Sequence, residues 1–239
     1  MTSDKTYVVV GATGDVGRGV TRALVAAGAR VIAVSRSAEK LDALKSELGQ
    51  PGALDTLPGS VATEDSAIEL RSRIVALAPR PDGIIVSVNA PAKPTHLRQL
   101  DSQAFLQALH GNLLTHFVAV KTLTPMLGQG GQYIAIGGGM ADWVIAGFGA
   151  MSACQAAQRA MLKAFDAEQG ENPPLIVREL MLHSMIAGAS NRGQAQPNWI
   201  TDEDVGRHVA LMLDNPQAFT ETVVNLKSRK QAGQLPAAT

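Results

Sequence analysis

Three glycines, at positions 11, 14 and 17, follow directly on the apolar run 7–10 and open a stretch of helical periodicity. Few arrangements satisfy that order. A strand that ends in residues without a Cβ and turns at once into a helix brings backbone N–H groups to a helix N-terminus with nothing in front of them. The helix dipole there favours an anion. The segment Val8-Val-Val-Gly-Ala-Thr-Gly-Asp-Val-Gly17 therefore reads as the first turn of a βαβ unit shaped for the diphosphate of a dinucleotide. Gly11, Thr13, Gly14, Asp15, Val16, Gly17 and Arg18 are its candidate binding residues. The plainer reading is a tight turn in a doubly wound sheet that binds nothing.

The rest of the chain repeats the alternation. Short apolar runs at 31–35, 84–88, 133–136, 175–182 and 222–226 are apolar nearly throughout, as strands covered on both faces must be. Between them, Val20, Leu24 and Ala27 share a helix face that Gly28 can end in a left-handed turn, and Leu41, Leu44 and Leu48 do the same for the next helix. A further helix starts at Thr63. Residues 101–123 and 149–168 read as two long helices, and Thr201-Asp-Glu-Asp204 opens the last with a capping-box pattern. This predicts an α/β fold, a Rossmann-type doubly wound parallel sheet with helices on both faces. At 239 residues and 46% hydrophobic content, a single domain is expected over 1–239, with a core over 1–226 and a polar tail over 227–239 free of it.

Charge and cysteine content remove several function classes. Lys plus Arg equals Asp plus Glu at 21 each, so no basic excess draws nucleic acid or an anionic membrane. Cys154 is the single cysteine, and no metal-ligand spacing of Cys or His occurs, so no metal is expected. The chain passes from Met-Thr-Ser-Asp-Lys straight into an apolar strand, without the charged and long apolar regions of a secretory signal, so a cytoplasmic location is expected. No apolar run approaches the ~20 residues that cross a bilayer.

After the second strand stands Val34-Ser35-Arg36-Ser37. A site selecting NAD(H) offers an acidic side chain there to the ribose 2′-hydroxyl. None is present. Arg36 and Arg18 suit a 2′-phosphate through charge-assisted hydrogen bonds, so NADP(H) is expected over NAD(H). As solvated surface charges, the two arginines would say nothing about a ligand.

In order and spacing, the chain resembles the short-chain dehydrogenase/reductases over nearly its whole length. Val88-Asn-Ala-Pro91 stands where that family has Asn-Asn-Ala-Gly, which implies Asn89 and Ala90 beside the cofactor. His110-Gly-Asn-Leu-Leu114 is similar to its asparagine-bearing helix, which makes Asn112 the counterpart of its catalytic asparagine. Ser60 takes the place of the aspartate that flanks the adenine, with Val61 beside it, and His183-Ser184 replaces a Pro-Gly next to the nicotinamide. Residues 185–200 resemble the substrate lid.

The likeness breaks at the catalytic triad. Met151-Ser-Ala-Cys-Gln155 aligns with the family's Tyr-Ser-Ala-Ser-Lys run, and Gly138 falls on its serine. The serine, tyrosine and lysine positions are thus Gly138, Met151 and Gln155. A thioether has no proton to give a developing alkoxide, glycine has no hydroxyl, and an uncharged amide lowers no neighbour's pKa, although Gln155 can still bond a ribose hydroxyl. Asp142 and His183 are the acid/base candidates left in the cleft, beside Asn112. Their plain readings are a turn residue and a packed strand end.

Three functions remain open at this point. The first is an NADP(H)-binding protein with non-standard chemistry on a small-molecule ligand. The second is a catalytically silent NADP(H) sensor or structural subunit. The third is a scaffold that binds no nucleotide. The resemblance further implies a homodimer or homotetramer formed through the helices containing Asn112 and Gln155.

Overall fold

Strands apolar on both faces need helices on both faces, and the chain supplies them in alternation. The computed structural model describes residues 4–236. In it, β1 (Thr6–Val10), β2 (Arg30–Ser35), β3 (Leu54–Pro58), β4 (Gly83–Val86), β5 (Gly131–Gly138), β6 (Leu175–Leu182) and β9 (Val223–Leu226) form one seven-stranded sheet in the order β3-β2-β1-β4-β5-β6-β9. Every pairing is parallel. The order reverses between β1 and β4, so the C-terminal edge opens into a crevice there, directly above the glycine turn. Two further short strands, β7 (Ile186–Ala187) and β8 (Ile200–Thr201), pair with each other outside the main sheet.

The helices divide between two cores. On one face α1 (Asp15–Ala26), α2 (Ala38–Glu47) and α7 (Asp202–Asp214) bury Val20, Leu24, Leu41, Leu44, Val205 and Val209 against Val9, Val31 and Ile85. On the other α3 (Glu64–Leu77), α5 (Thr115–Leu123) and α6 (Gly149–Ala167) bury Leu70, Ile74, Val118, Leu123 and Leu162 against Val8, Ile32 and Ile84. At about 25 cal/mol per Å² of apolar surface, this two-sided burial is the main stabilising term.

The local signals act as expected. Gly28 adopts φ +85° and ends α1. Thr63 caps α3, and Thr201 with Asp204 forms a complete capping box on α7. Three features differ from the sequence reading. β3 is a further strand, an edge strand that buries only Leu54 and Leu57 and closes on a proline. The helix expected over 101–123 is α4 (Ser102–Leu109), one π turn over His110–Leu114, and then α5. The described part of the polar tail is docked rather than free: Arg229 Nε donates to Asp204 Oδ2 at 2.9 Å, and Ala232 is buried. Residues 237–239 of that tail, and residues 1–3, lie outside the described residues.

Two kinds of buried ionisable group make stability depend on pH in opposite directions. His116 and His208 are buried, and burial pushes both down to about 4. The unfolded chain then binds protons that the fold refuses, so stability falls as pH drops from about 6.5 towards 4. Glu179 is 1% exposed on β6, and burial pushes its carboxyl up to about 7 against the pull of Gln158, whose Nε2 donates to Oε1 at 3.0 Å. Here the fold holds a proton that the unfolded chain has lost, so stability is lost as pH rises from about 4.5 through 7. Glu179→Gln keeps the acceptor for Gln158 and removes the ionisation. It is expected to raise stability at pH 8 by roughly 2–3 kcal/mol, with the gain vanishing at pH 5. Thermal melts of both proteins at the two pH values check this, and a gain equal at both would show that ionisation is not its cause.

Candidate active site

Each glycine of the first turn has its own reason to be there. Gly11 has φ +85°, and a Cβ on it would lie 2.0 Å from the carbonyl oxygen of Ser87. A Cβ on Gly17 would lie 2.1 Å from the carbonyl of Gly11, so this glycine lets α1 close onto the strand. Gly14 is different. Its nearest neighbour is the Gly11 oxygen at 3.5 Å, which leaves its outer side facing the cleft. The first backbone bond of α1 runs from Arg18 N to Gly14 O at 2.8 Å, so the N–H groups of Asp15, Val16 and Gly17 precede it and are free of the helix ladder. Thr13 Oγ1 lies 2.8 Å from Ser35 Oγ and ties the turn to the end of β2. The pattern is a cradle for an anion with open space in front of it.

That space is a cleft of about 790 Å³. Gly11, Thr13 and Gly14 form its floor, and Ser35, Arg36 and Lys40 form its end beyond β2. Ser60 and Val61 lie on one side, with Asn89 and Ala90 on the other. Arg36 is exposed and makes no ion pair among the described residues. Arg18 is placed otherwise. Its guanidinium pairs with Glu47 at the end of α2, which also accepts from Arg22 Nη2 at 2.7 Å, and it does not line the cleft. Of the two arginines proposed for a 2′-phosphate, only Arg36 reaches the space where one would sit.

The structure adds members that the sequence reading did not assign to the cleft. Lys40 stands one helical turn beyond Arg36. Gln103, Leu106, Gln107 and His110 form the wall opposite the cradle. Their spacing of i, i+3, i+4 and i+7 is a single helix face, a signal visible in the sequence but without a sign of what that face meets.

Asn112 sits at the centre of the π turn, 6% exposed. Its Oδ1 accepts from Ala90 N at 2.8 Å, and its Nδ2 donates to Ala108 O at 2.9 Å. Both ends of the amide are thus spent on backbone. The side chain fixes the loop after β4 against α4, which makes it a positioning residue.

At the β5–α6 end stand Gly138, Met151 and Gln155, the residues that the sequence aligns with the family's triad. A Cβ on Gly138 would fall 2.5 Å from Gln155 Nε2 and 2.7 Å from its Oε1, so the glutamine amide occupies the space a serine side chain would need. Gln155 Oε1 is buried without a hydrogen-bond partner. Met151 is 7% exposed in the first turn of α6. Tyr7 and Tyr133 are fully buried in β1 and β5, and burial raises both phenols, so neither offers a proton at this end.

Asp142 and His183 come together at the C-terminal ends of β5 and β6. His183 Nε2 lies 3.9 Å from Asp142 Oδ2 and 2.7 Å from Asn225 Oδ1. Asp142 is also paired with Arg159, whose guanidinium holds its carboxyl below the ordinary range. Both groups are thus held by neighbours, and neither lines the large cleft. Ser184 Oγ accepts from Ile200 N at 3.2 Å and closes the base of the segment 185–200. Among the described residues no group of three or more His, Cys, Asp or Glu is arranged to hold a metal, and no helix is long and apolar enough to cross a membrane.

Comparison with known proteins agrees with this architecture. The structure of a short-chain type dehydrogenase/reductase from Mycobacterium ulcerans superposes with a TM-score of 0.84 at 24% identity, over 94% of this chain and 88% of that one. An alcohol dehydrogenase from Thermococcus sibiricus, solved with 5-hydroxy-NADP, superposes with a TM-score of 0.78 at 20% identity, over 98% of this chain and 99% of that one. At these identities the likeness speaks for the fold alone. In sequence, a 7alpha-hydroxysteroid dehydrogenase of Bacteroides fragilis is 32% identical over 140 residues, a match that spans 55% of this chain and about half, 52%, of that enzyme. The family model for short chain dehydrogenases matches residues 5–178, from β1 through the glycine turn, the π turn and α6 into β6. By that match over 5–178, the chain belongs to the short-chain dehydrogenase/reductase family.

Proposed function

We propose that the cleft binds NADP(H) and that the chain is a nucleotide-responsive member of its family, one that does not carry out tyrosine-dependent carbonyl reduction. The observation that carries the reading is the contrast between two stretches of the sheet's C-terminal edge, the cleft beyond β2 and the β5–α6 corner, whose Gly138, Met151 and Gln155 do not line that cleft. At the ribose end, Arg36 and Lys40 present two cations to open space, and no acidic side chain lines the cleft to bond a 2′-hydroxyl. At the other end, Gly138, Met151 and Gln155 supply neither hydroxyl nor ammonium.

The residues present fit a dinucleotide. The open side of Gly14 and the free N–H groups of α1 suit the diphosphate, Val61 and Ala90 suit an adenine, and the unpartnered Gln155 Oε1 suits a ribose hydroxyl or a carboxamide N–H. When bound, the cofactor supplies a hydride. A carbonyl taking that hydride needs a proton at its oxygen, and none of Gly138, Met151 and Gln155 can deliver one. The output of binding is then a change in conformation or in association, as in a sensor or a regulatory subunit. The exposed Phe117 of α5 marks the side on which a second copy of the chain is expected.

A second reading rests on the approach of His183 to Asp142 at 3.9 Å, with Asn225 fixing the imidazole. It assigns acid/base chemistry on a small molecule to that pair.

Calorimetric titration with NADPH and NADH separately tests the proposal. Tighter binding of NADPH is expected, and Arg36→Ala is expected to weaken NADPH by ~10- to 100-fold while leaving NADH nearly unchanged, the loss of one or two charge-assisted bonds. Absence of binding by either nucleotide would leave the chain a scaffold. NADPH-dependent turnover of a carbonyl by the unaltered protein would overturn the silent reading.

A further inference from the structure

The side chains that line the cleft are unspent. Arg36 and Lys40, at the end beyond β2, make no ion pair among the described residues. Gln103, Gln107 and His110, on the wall formed by α4, make no side-chain hydrogen bond among them either. The glycine turn is the floor, and the first N–H groups of α1 stand free of the helix ladder there. Two cations, a set of free N–H groups and a wall that can donate and accept make a receptor for a nucleoside with one phosphate on its ribose and a diphosphate at its 5′ end.

The β5–α6 corner, where the second half of a dinucleotide would lie, is the reverse. Both ends of the Asn112 amide are bonded to backbone, and Asp142 is paired with Arg159. Ser184 Oγ donates to Met185 O at 2.8 Å and accepts from Ile200 N at 3.2 Å. Gln155 has its amide against Gly138, in the space a side chain there would need, and its Oε1 is left as one neutral acceptor. A single neutral hydrogen bond is worth about 2- to 10-fold in affinity. A charge-assisted pair at the other end is worth about 10- to 100-fold, and two cations stand ready to make it.

We propose that the site grips only the adenosine half of its ligand: the class it takes is an adenosine nucleotide with a 2′-phosphate and a 5′-diphosphate, and what the diphosphate carries beyond that is held by no more than one neutral bond. This rests on the nucleotide-binding reading above and names the part of the ligand that carries the affinity. The nicotinamide ring, where NADP+ and NADPH differ, then lies outside the grip. The two forms bind alike, and the protein answers to the amount of the nucleotide rather than to its redox state.

Calorimetric titration of the unaltered protein with NADPH, NADP+, 2′-phosphoadenosine 5′-diphosphate and reduced nicotinamide mononucleotide tests this. NADPH and NADP+ are expected to bind within about 10-fold of each other, and the truncated nucleotide no more than about 10-fold more weakly than NADPH. The mononucleotide is expected not to bind at millimolar concentration. Arg36→Ala is expected to weaken the truncated nucleotide by ~10- to 100-fold, as it weakens NADPH, while Gln155→Ala changes NADPH affinity by less than about 10-fold. If NADPH binds and the truncated nucleotide is weaker by more than that margin, or the two redox forms differ by more, the inference is overturned and the nucleotide reading stands. Binding of the mononucleotide, or a larger loss in Gln155→Ala, has the same meaning. Binding of none of the four overturns both.

Discussion

Introducing three side chains together, as Gly138→Ser, Met151→Tyr and Gln155→Lys, is expected to give this chain NADPH-dependent reduction of a small ketone at least ~10²-fold above that of the unaltered protein. The lower bound is the ordinary worth of a positioned general acid. Geometry makes the three changes interdependent. Gly138 has φ −134° and ψ 151°, a conformation open to any residue, so backbone does not forbid serine there. What forbids it is Gln155, whose amide atoms lie 2.5 and 2.7 Å from the place of the new Cβ. Gly138→Ser alone is therefore expected to displace the glutamine and yield no activity, and Met151→Tyr alone to set a phenol in the site without a cation to lower its pKa. Only the triple variant has donor, orienting hydroxyl and ammonium at once, so the gain is expected to be strongly non-additive. Oxidation of NADPH followed by absorbance for all seven single, double and triple combinations measures this. Activity that accumulated in equal steps would contradict the steric coupling. Inactivity of a folded, NADPH-binding triple variant would place the defect elsewhere in the cleft, with Asn112 the first position to inspect, since its amide is held by Ala90 and Ala108.

That coupling was invisible in the sequence, although both residues were marked as departures. The sequence shows glycine and glutamine at 138 and 155; it does not show that the glutamine fills the space a side chain at 138 would need, because the two positions meet only through the fold. The same distinction separates the rest of what was legible from what was not. Gly28, Thr63 and the Thr201–Asp204 box act within one or two turns of chain, and local chemistry dictates them. Strand β3 was harder, since an edge strand with two buried residues and a closing proline carries little period. The π turn adds one residue per turn around Asn112 without spoiling the apolar pattern on either side, so a continuous helix was the natural reading. Arg18 was read beside Arg36 as a candidate for the 2′-phosphate. Its engagement by Glu47, 29 residues away, depends on how α2 lies along α1. The bond from Asp15 to Ser190 spans 175 residues and had no local signal at all.

A single methyl group should separate the glycine that builds the fold from the glycine that serves the ligand. Gly11→Ala places a Cβ 2.0 Å from a backbone carbonyl oxygen, in a conformation at φ +85° that L residues rarely adopt. Left-handed strain costs about 1–2 kcal/mol, and the carbonyl of Ser87 cannot yield without moving β4, where Ser87 N is itself bonded to Val10 O at 2.9 Å. A loss of roughly 4 kcal/mol or more is expected, which for a chain of this size lowers Tm by about 8–16 °C. Gly14→Ala meets neither obstacle. Its backbone is at φ −75° and its new methyl has only the Gly11 oxygen at 3.5 Å, so folding should be preserved within about 1 kcal/mol. The methyl instead enters the cleft where the diphosphate would approach, and NADPH affinity should fall by at least ~10-fold. Melting curves and calorimetric titrations of the two variants give four numbers that fix the assignment. An unstable Gly14→Ala would mean that the turn is packed rather than open at that point. A stable Gly14→Ala with undiminished NADPH binding would move the diphosphate away from the glycine turn.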